Sequence, residues 1–300
     1  MKFKSFIIAD RGWNLTCFLA SVFSICAMIV FTSGNVIAQR LAILTPDERS
    51  SSQAVAELIK DALSDRFRIE DLDLVRTAAE TVKIESPYNL SVSDARAVGA
   101  VVGAPYIILI KTGELRRTSA DVEEYYEAFA AVYIVHSSSG SLIDWKLFSV
   151  TGASPELART SLDAEPKSIA NHIAESIAAN EMNARSKVTI NRFPPMPKSA
   201  SKDPDALKPP MPYRRIRPDY APTANLYSVR ATVEIEVDID AEGRIVNTEI
   251  VRWAGFGLDE CVIETVRKMN WRPATIGNRT LPMRVLLRYN FVKIDKDEDR

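Results

Sequence analysis

The sequence contains few of the residues that most often take part in catalysis or metal binding. Its 300 residues include two histidines and three cysteines. His136 and His172 are far apart in the chain, and neither has a cysteine or carboxylate cluster at metal-ligand spacing beside it. Cys17 and Cys26 lie in an N-terminal apolar run, so the chain cannot form a disulfide framework. These absences argue against a zinc site, and we expect no metal and no cofactor.

An excess of charge of one sign is missing as well. Lysine and arginine number 38 and aspartate and glutamate 39, which gives a net charge of −1. This balance argues against nucleic acid as a partner. The sequence also lacks a Walker-type lysine loop, and residues 137–139 lack the setting of a nucleophile elbow. Gly255-Phe-Gly257 has no third glycine for a dinucleotide loop, and we interpret it as a tight turn before a helix.

The first 38 residues combine basic residues with an apolar stretch, residues 15–31, and with small residues before Gln39. This order is typical of a cleaved export signal. An uncleaved membrane anchor is the alternative, because 17 residues are long for a signal core and just short of a comfortable membrane span. Either interpretation puts the rest of the chain outside the cytoplasm. We expect a periplasmic protein, with a single-pass inner-membrane protein as the alternative.

Proline changes the character of the chain over residues 192–222. Nine of the chain's 16 prolines fall in this stretch, which excludes helix and central strand and favours extended polyproline II. Basic residues outnumber acidic ones in it, which fits either attraction to an anionic surface or a solvated linker. We interpret the stretch as a spacer between two globular parts. Because it lacks apolar periodicity, we expect the two parts to fold independently and without docking.

Strand and helix patterns alternate before the proline-rich stretch, over residues 40–183, and predict an α/β sandwich-type domain. LAILTP is typical of a buried strand, and SQAVAELIKDALSDRF of a helix. The predicted apolar face of that helix consists of Val55, Leu58, Ile59, Ala62 and Leu63. The next segment predicts a capped helix that ends at Gly103, followed by a strand. A hairpin across residues 137–140 and a closing helix complete the domain.

Residues 40–183 resemble the N-terminal domain of TolB and related domains of periplasmic and lipoprotein assembly factors. The resemblance rests on LAILTP and on the alanine-rich helix, Gly-Ala-aromatic step and strand of SDARAVGAVVGAPYIILIKTGEL. It implies a protein-binding module of the cell envelope without catalysis.

A ββαβ order follows the proline-rich stretch, over residues 223–294. Residues 233–240 alternate apolar and acidic side chains, the period of a half-buried strand, and the turn residues at 240–243 predict a hairpin. Helical spacing of apolar residues predicts a helix over residues 258–270, and alternation returns over residues 280–294. With the first part, this order predicts an α+β chain.

Four residues near the predicted turn and helix allow two interpretations each. Trp253, Phe256 and Trp271 fit either core packing or a ligand groove, and we favour core packing. Cys261 lies on the apolar side of the helix, so we interpret it as a core thiol and not as a nucleophile. The C-terminal part therefore has no candidate catalytic residue.

Residues 218–294 resemble the TonB C-terminal domain family. The family's marks are a Pro-x-Tyr entry, a strand ending in Asp-x-x-Gly, a Leu-Asp helix start, an aromatic residue with Pro-Ala, and a final aromatic residue. Here they are Pro218 and Tyr220, Asp240 and Gly243, Leu258 and Asp259, Trp271 with Pro273 and Ala274, and Phe291. Ala221 and residues 227–229 depart from the family's pattern. The resemblance implies a protein that binds a partner's extended segment along the last strand of its sheet.

The first strand of the ββαβ unit is predicted to lie in the middle of its sheet. A last strand that follows a helix crossing back over the sheet can pair antiparallel only with that first strand. Arg284 and Arg288 on the last strand should then face acidic residues of the first. The last strand becomes a sheet edge with free main-chain groups. The outward residues predicted to contact a partner are Arg284, Leu286, Arg288 and Asn290.

These patterns predict a non-enzymatic envelope protein of the TonB type that binds partners by strand addition in transport across the outer membrane. The expected partners are envelope proteins, such as an outer-membrane transporter or an inner-membrane motor, with membrane contact only through the N-terminal segment. The alternative is a complete energy transducer in the inner membrane, although residues 15–31 lack the histidine of the family's anchor helix. A periplasmic hydrolase is a lesser alternative, since Asp94 and Asp144 have no visible partner in the sequence.

Overall fold

The computed structural model describes residues 39–47, 49–186, 192–196 and 207–293. The predicted export signal or anchor, with Cys17 and Cys26, lies outside these residues. Within them, no helix is both long enough and apolar enough to cross a membrane. The chain from Gln39 onward forms one unit by its internal contacts.

A mixed five-stranded sheet forms the centre of the N-terminal part. Its strands are β1 (Arg40–Leu44), β2 (Arg68–Ile69), β3 (Tyr106–Arg117), β4 (Tyr125–His136) and β5 (Ser141–Gly152). Their order is β2-β1-β3-β4-β5, with β1 parallel to both of its neighbours and the other pairs antiparallel. The helices are α1 (Ser50–Leu63), α2 (Leu72–Glu80), α3 (Val92–Val102), α4 (Pro155–Leu162) and α5 (Pro166–Ser186). The predicted mixture of strands and helices is confirmed, although the sequence patterns missed α2 and α4.

Local sequence signals explain the ends of α3, whereas one prediction for α1 is wrong. The Ser91 side chain accepts the N–H of Asp94 at 3.1 Å, and the Asp94 carboxylate accepts the N–H of Ser91 at 3.2 Å. Gly103 ends α3 with a φ of 72°, in the left-handed region that glycine adopts most easily. Leu58, predicted for the buried face of α1, is 37% exposed. The smaller Ala56 is buried instead, because the contact face of α1 is rotated toward it.

A three-stranded sheet forms the C-terminal part. Its strands are β7 (Ala231–Ile239), β8 (Ile245–Arg252) and β12 (Met283–Phe291), and α7 (Leu258–Arg267) buries Leu258, Val262 and Val266. The order is β12-β7-β8 and both pairs are antiparallel. The central position of β7 and the outer position of β12 are therefore confirmed. The helix ends three residues earlier than predicted, at Arg267 instead of residue 270.

The C-terminal part also contains short elements, and some of them lie in the proline-rich stretch or pair with it. They are β6 (Met211–Pro212), α6 (Pro222–Leu226), β9 (Trp271–Arg272), β10 (Ala274–Ile276) and β11 (Arg279–Leu281). Strand β6 pairs with β9, and β10 pairs with β11. The N–H of Lys208 also donates to the C=O of Thr275 at 2.8 Å. At these positions the stretch is not a free spacer, because its non-proline residues supply the donors that edge pairing requires.

One apolar cluster joins the N-terminal and C-terminal parts. Trp253 and Phe256, in the turn after β8, lie 5.8 and 6.4 Å from the ring of Tyr133 on β4. Phe256 also stacks on Trp145 of β5 at 5.2 Å, and Trp253 Nε1 donates to the C=O of Gly140 at 3.3 Å. The expected absence of docking is wrong, because this face of the five-stranded sheet carries apolar side chains that the turn covers. Core packing of both aromatic residues is confirmed.

Polar contacts surround this shared cluster. The Glu127 carboxylate on β4 accepts the hydroxyl of Tyr227, and it accepts Nε of Arg117 at 2.7 Å. Burial opposes ionisation of Glu127, but the hydrogen bonds from Tyr227 and Arg117 lower its pKa below the usual value. Asn89 Nδ2 donates to the C=O of Trp253 at 2.6 Å. Hydrogen bonds therefore fix the relative orientation of the packed surfaces.

Candidate functional site

The main-chain groups of β12 that face away from β7 form a partly used sheet edge. The N–H of Arg284 donates to the C=O of Pro194 at 2.9 Å, and the C=O of Arg284 accepts the N–H of Met196 at 3.1 Å. Both main-chain groups of Arg284 therefore point away from β7. Because this direction alternates along a strand, the other three residues of the predicted set share it. They are Leu286, Arg288 and Asn290.

The side chains of these three residues are exposed. Leu286 is 54% exposed. The residue opposite it on β7 is Glu236. Arg288 Nε donates to Glu234 of β7 at 2.6 Å, so the predicted pairing of Arg288 with an acidic residue of the first strand is confirmed. Asn290 Oδ1 accepts the hydroxyl of Thr232 at 2.9 Å.

Arg284 differs from the other three residues. Its side chain is buried, with 8% exposed, whereas the prediction was that it is open to solvent. The Asp238 carboxylate accepts hydrogen bonds from Nε and Nη2 of Arg284, both at 2.8 Å. The Glu236 carboxylate accepts a third, from Nη1, at 3.1 Å. The hydrogen bonding of the Arg284 guanidinium to the Asp238 carboxylate is the main reason that the pKa of Arg284 is raised. The predicted ion pair is confirmed, and it compensates for the burial of the guanidinium.

Basic side chains lie beside the C-terminal end of β12. Arg215 donates to the C=O of Arg288 at 3.2 Å, and its guanidinium lies 5.6 Å from the ring centroid of Tyr289. Arg214 and Arg217 are exposed in the same way as Arg215. Within the described ranges, none of these three arginines forms an ion pair with a carboxylate. A shallow groove of about 360 Å³ runs between residues 215–218 and the end of β12.

A buried carboxylate holds the turn between β8 and α7. Gly255, Phe256 and Gly257 have φ values of 69°, 53° and 79°, which confirms the interpretation as a tight turn. The Asp259 carboxylate accepts the N–H of Ala254 at 3.0 Å and that of Gly255 at 2.8 Å. Burial raises the pKa of Asp259 to about 7, and the two donors act against this rise. The sequence marked Leu-Asp as a family feature but did not reveal this role.

The two carboxylates considered for hydrolysis both have partners. Asp94 caps α3 and lies 3.7 Å from Arg252. Asp144 accepts the hydroxyl of Ser176 at 2.6 Å and lies 3.4 Å from His172 Nε2, and burial lowers the pKa of this imidazole. Ser176 thus bonds to the carboxylate and not to the imidazole, which is not the arrangement of an activated nucleophile. The described residues include no group of three or more His, Cys, Asp or Glu side chains that could hold a metal ion.

We expect Cys261 to react slowly in the folded protein. The side chain is half-buried on α7, and burial, followed by repulsion from Glu264 and Glu260, raises the pKa of its thiol. Little thiolate forms near neutral pH, so a thiol reagent should label the native protein about tenfold more slowly than the denatured protein. The release of chromophore from the reagent measures both rates. Equal rates would reopen a nucleophilic role for Cys261.

The fold and this edge define a class of module, a small ββαβ domain in which one outer strand of the sheet, β12, has a partly paired edge. Residues 216–292 match the family model described as the Gram-negative bacterial TonB protein C-terminal. This match confirms the resemblance of the C-terminal part to TonB C-terminal domains. It also indicates an envelope protein of the TonB type.

Several solved structures are similar to parts of this chain. One is the TonB C-terminal domain of Pseudomonas aeruginosa, which is 21% identical and has a TM-score of 0.25. The match covers 32% of this chain and 92% of that chain. Lipoprotein GNA1162 from Neisseria meningitidis has 14% identity, coverages of 46% and 99%, and a TM-score of 0.31. The LpoB C-terminal domain from Salmonella enterica has 15% identity, coverages of 41% and 90%, and a TM-score of 0.25. A comparison with curated proteins gives no match. The resemblance of residues 40–183 to the TolB N-terminal domain stays a prediction.

Proposed function

We propose that this chain is a non-enzymatic envelope protein that binds an extended segment of a partner protein by strand addition along β12. The observation that supports the proposal is the direction of the main-chain groups of Leu286, Arg288 and Asn290. These groups face away from β7, on a strand whose side chains at the same positions are exposed. An added strand gains main-chain hydrogen bonds there, and side-chain contacts provide selectivity.

The partner segment is expected to carry acidic residues. Arg215 and Arg217 lie beside the C-terminal end of β12 without a carboxylate partner among the described residues. Arg284 is already neutralised by Asp238, so it contributes little to the attraction. The attraction is therefore assigned to the end of β12 near Arg288. Because those charges are exposed, salt should weaken it.

The cellular role that fits these features is an adaptor between envelope components, such as an outer-membrane transporter and an inner-membrane motor. We place the bulk of the chain in the periplasm, with membrane contact only through the N-terminal segment. Residues 223–294 supply the β12 edge, and residues 40–183 supply a second, TolB-like binding part. The proline-rich residues 192–222 connect the two.

Proline at position 286 should weaken partner binding and leave the fold intact. Leu286→Pro removes an N–H that faces away from β7, whereas Leu287→Pro removes one from the ladder with β7. Leu286→Ala keeps the edge N–H and is the matched control. We expect Leu286→Pro to weaken binding by about tenfold or more. Leu287→Pro should disrupt the sheet itself.

Amide hydrogen exchange of the full chain, with and without extended acidic peptides, measures this effect. New protection of the Arg288 amide in the wild type and in Leu286→Ala, but not in Leu286→Pro, is the expected result. Protection confined to residues 40–183 would contradict the proposal, because it would move the binding site to the N-terminal part.

A further inference from the structure

The chain itself occupies the start of the β12 edge. Residues 194–196 run parallel to β12, with Pro195 opposite Arg284. Main-chain hydrogen bonds of 2.9 and 3.1 Å join Arg284 to Pro194 and Met196. Residues 192–196, called the edge segment below, are therefore paired with the strand that we propose as the partner's binding site.

The pairing of the edge segment with β12 is short. Pro194 contributes its C=O and Met196 its N–H, so the N–H groups that proline lacks are not needed at these positions. The ladder does not continue beyond them, since the N–H of Leu286 has no main-chain partner in the described part of the chain. A strand that also pairs with the outward-facing groups of Leu286 and Arg288 would form more hydrogen bonds with β12 than the edge segment does.

A charge pair adds to the hold on the edge segment. The Arg192 guanidinium pairs with the Glu249 carboxylate on β8 and approaches Glu236 of β7 at 4.0 Å. Arg192 therefore reaches from the β12 side across the outer face of the sheet, where β12, β7 and β8 lie in order. Because this guanidinium is half exposed, salt should loosen the contact.

From these contacts we infer that the edge segment is a displaceable intramolecular occupant of β12, which an incoming partner strand has to replace. The identity of the incoming strand rests on the proposed function, but the occupancy of the edge does not. The apparent affinity of a partner for such an edge is its intrinsic affinity multiplied by the fraction of molecules in which the edge is free. The partner class favoured is an extended segment that pairs along the whole of the β12 edge, because it forms the longer ladder.

Met196→Pro is expected to release the edge segment. It removes the N–H that donates to Arg284, at an exposed position where the sheet does not depend on it. Met196→Ala keeps this N–H and is the matched control. In the full chain, the Arg284 amide should exchange about tenfold or more faster in Met196→Pro than in the other two proteins. The amides of Val285 and Leu287, which face β7, should stay protected in all three and report an intact sheet.

Equal exchange of the Arg284 amide in all three proteins would overturn the occupancy. A synthetic peptide of alternating valine and glutamate tests displacement, and it should bind Met196→Pro about tenfold more tightly than the wild type. Equal binding to both would overturn displacement. Binding to neither would count against strand addition, while exchange of the Arg284 amide still decides whether the edge segment occupies β12.

Discussion

Trp253→Ala should lower the free energy of unfolding by about 3–5 kcal/mol, because it removes a large buried side chain from the apolar core. Trp253 is 1% exposed. Its ring lies against Tyr133, and its Nε1 donates to the C=O of Gly140. The truncation therefore removes apolar contacts and a hydrogen bond from the surface that joins the two parts, and it leaves a cavity there.

Denaturant unfolding followed by circular dichroism measures this loss. Leu157→Ala is the control, since Leu157 is 57% exposed on α4 and its removal should change stability by no more than about 0.5 kcal/mol. If the packed parts unfold as one unit, Trp253→Ala shifts a single transition to lower denaturant. Two separate transitions, of which only one moves, would show instead that the parts fold independently as the sequence suggested.

Asp238→Ala should lower the free energy of unfolding by about 3–5 kcal/mol, because it leaves the buried guanidinium of Arg284 without its main partner. Asp238 is 2% exposed and binds the Arg284 guanidinium through two hydrogen bonds of 2.8 Å. Glu236 alone would then remain to pair with Arg284. The double change Asp238→Leu with Arg284→Met should recover most of the loss, since it leaves neither charge buried.

Urea unfolding of Asp238→Leu, of Arg284→Met and of the double variant completes the mutant cycle for this ion pair, and Asp238→Ala is measured in the same way. Glu242→Ala is the matched control, because Glu242 forms an exposed pair with Arg244 that should contribute at most about 0.5 kcal/mol. A loss for Asp238→Ala no larger than that of the control would show that Arg284 is solvated in the folded protein.

The C-terminal sheet could be predicted from sequence because its two faces differ in character. Once β7 is placed in the centre, acidic residues on its outer face require cations opposite them, and Arg284 and Arg288 fall at the matching positions. Alternation shows which face a residue occupies but not what covers that face. The burial of Arg284 therefore could not be predicted, since it depends on the carboxylates and on the edge segment together.

The contact between the two parts was hidden for a different physical reason. Trp253 and Phe256 are apolar, and apolar burial is not directional, so the same residues fit the core of a small domain and an interface equally well. The edge segment was hidden because proline predicts an extended chain without specifying whether that chain lies in water or against a strand. In both cases the residue types indicated the local conformation and left the neighbour unspecified.

The packing of the Trp253 turn against β4 also determines how a mechanical force would travel through the molecule. Tension applied to β12 passes to β7 through their ladder and then, through the packed aromatic rings, into the five-stranded sheet. The covalent route through residues 192–222 is bypassed as long as this packing holds. Force on β12 would therefore reach the covalent connection between the two parts only after this packed surface had yielded.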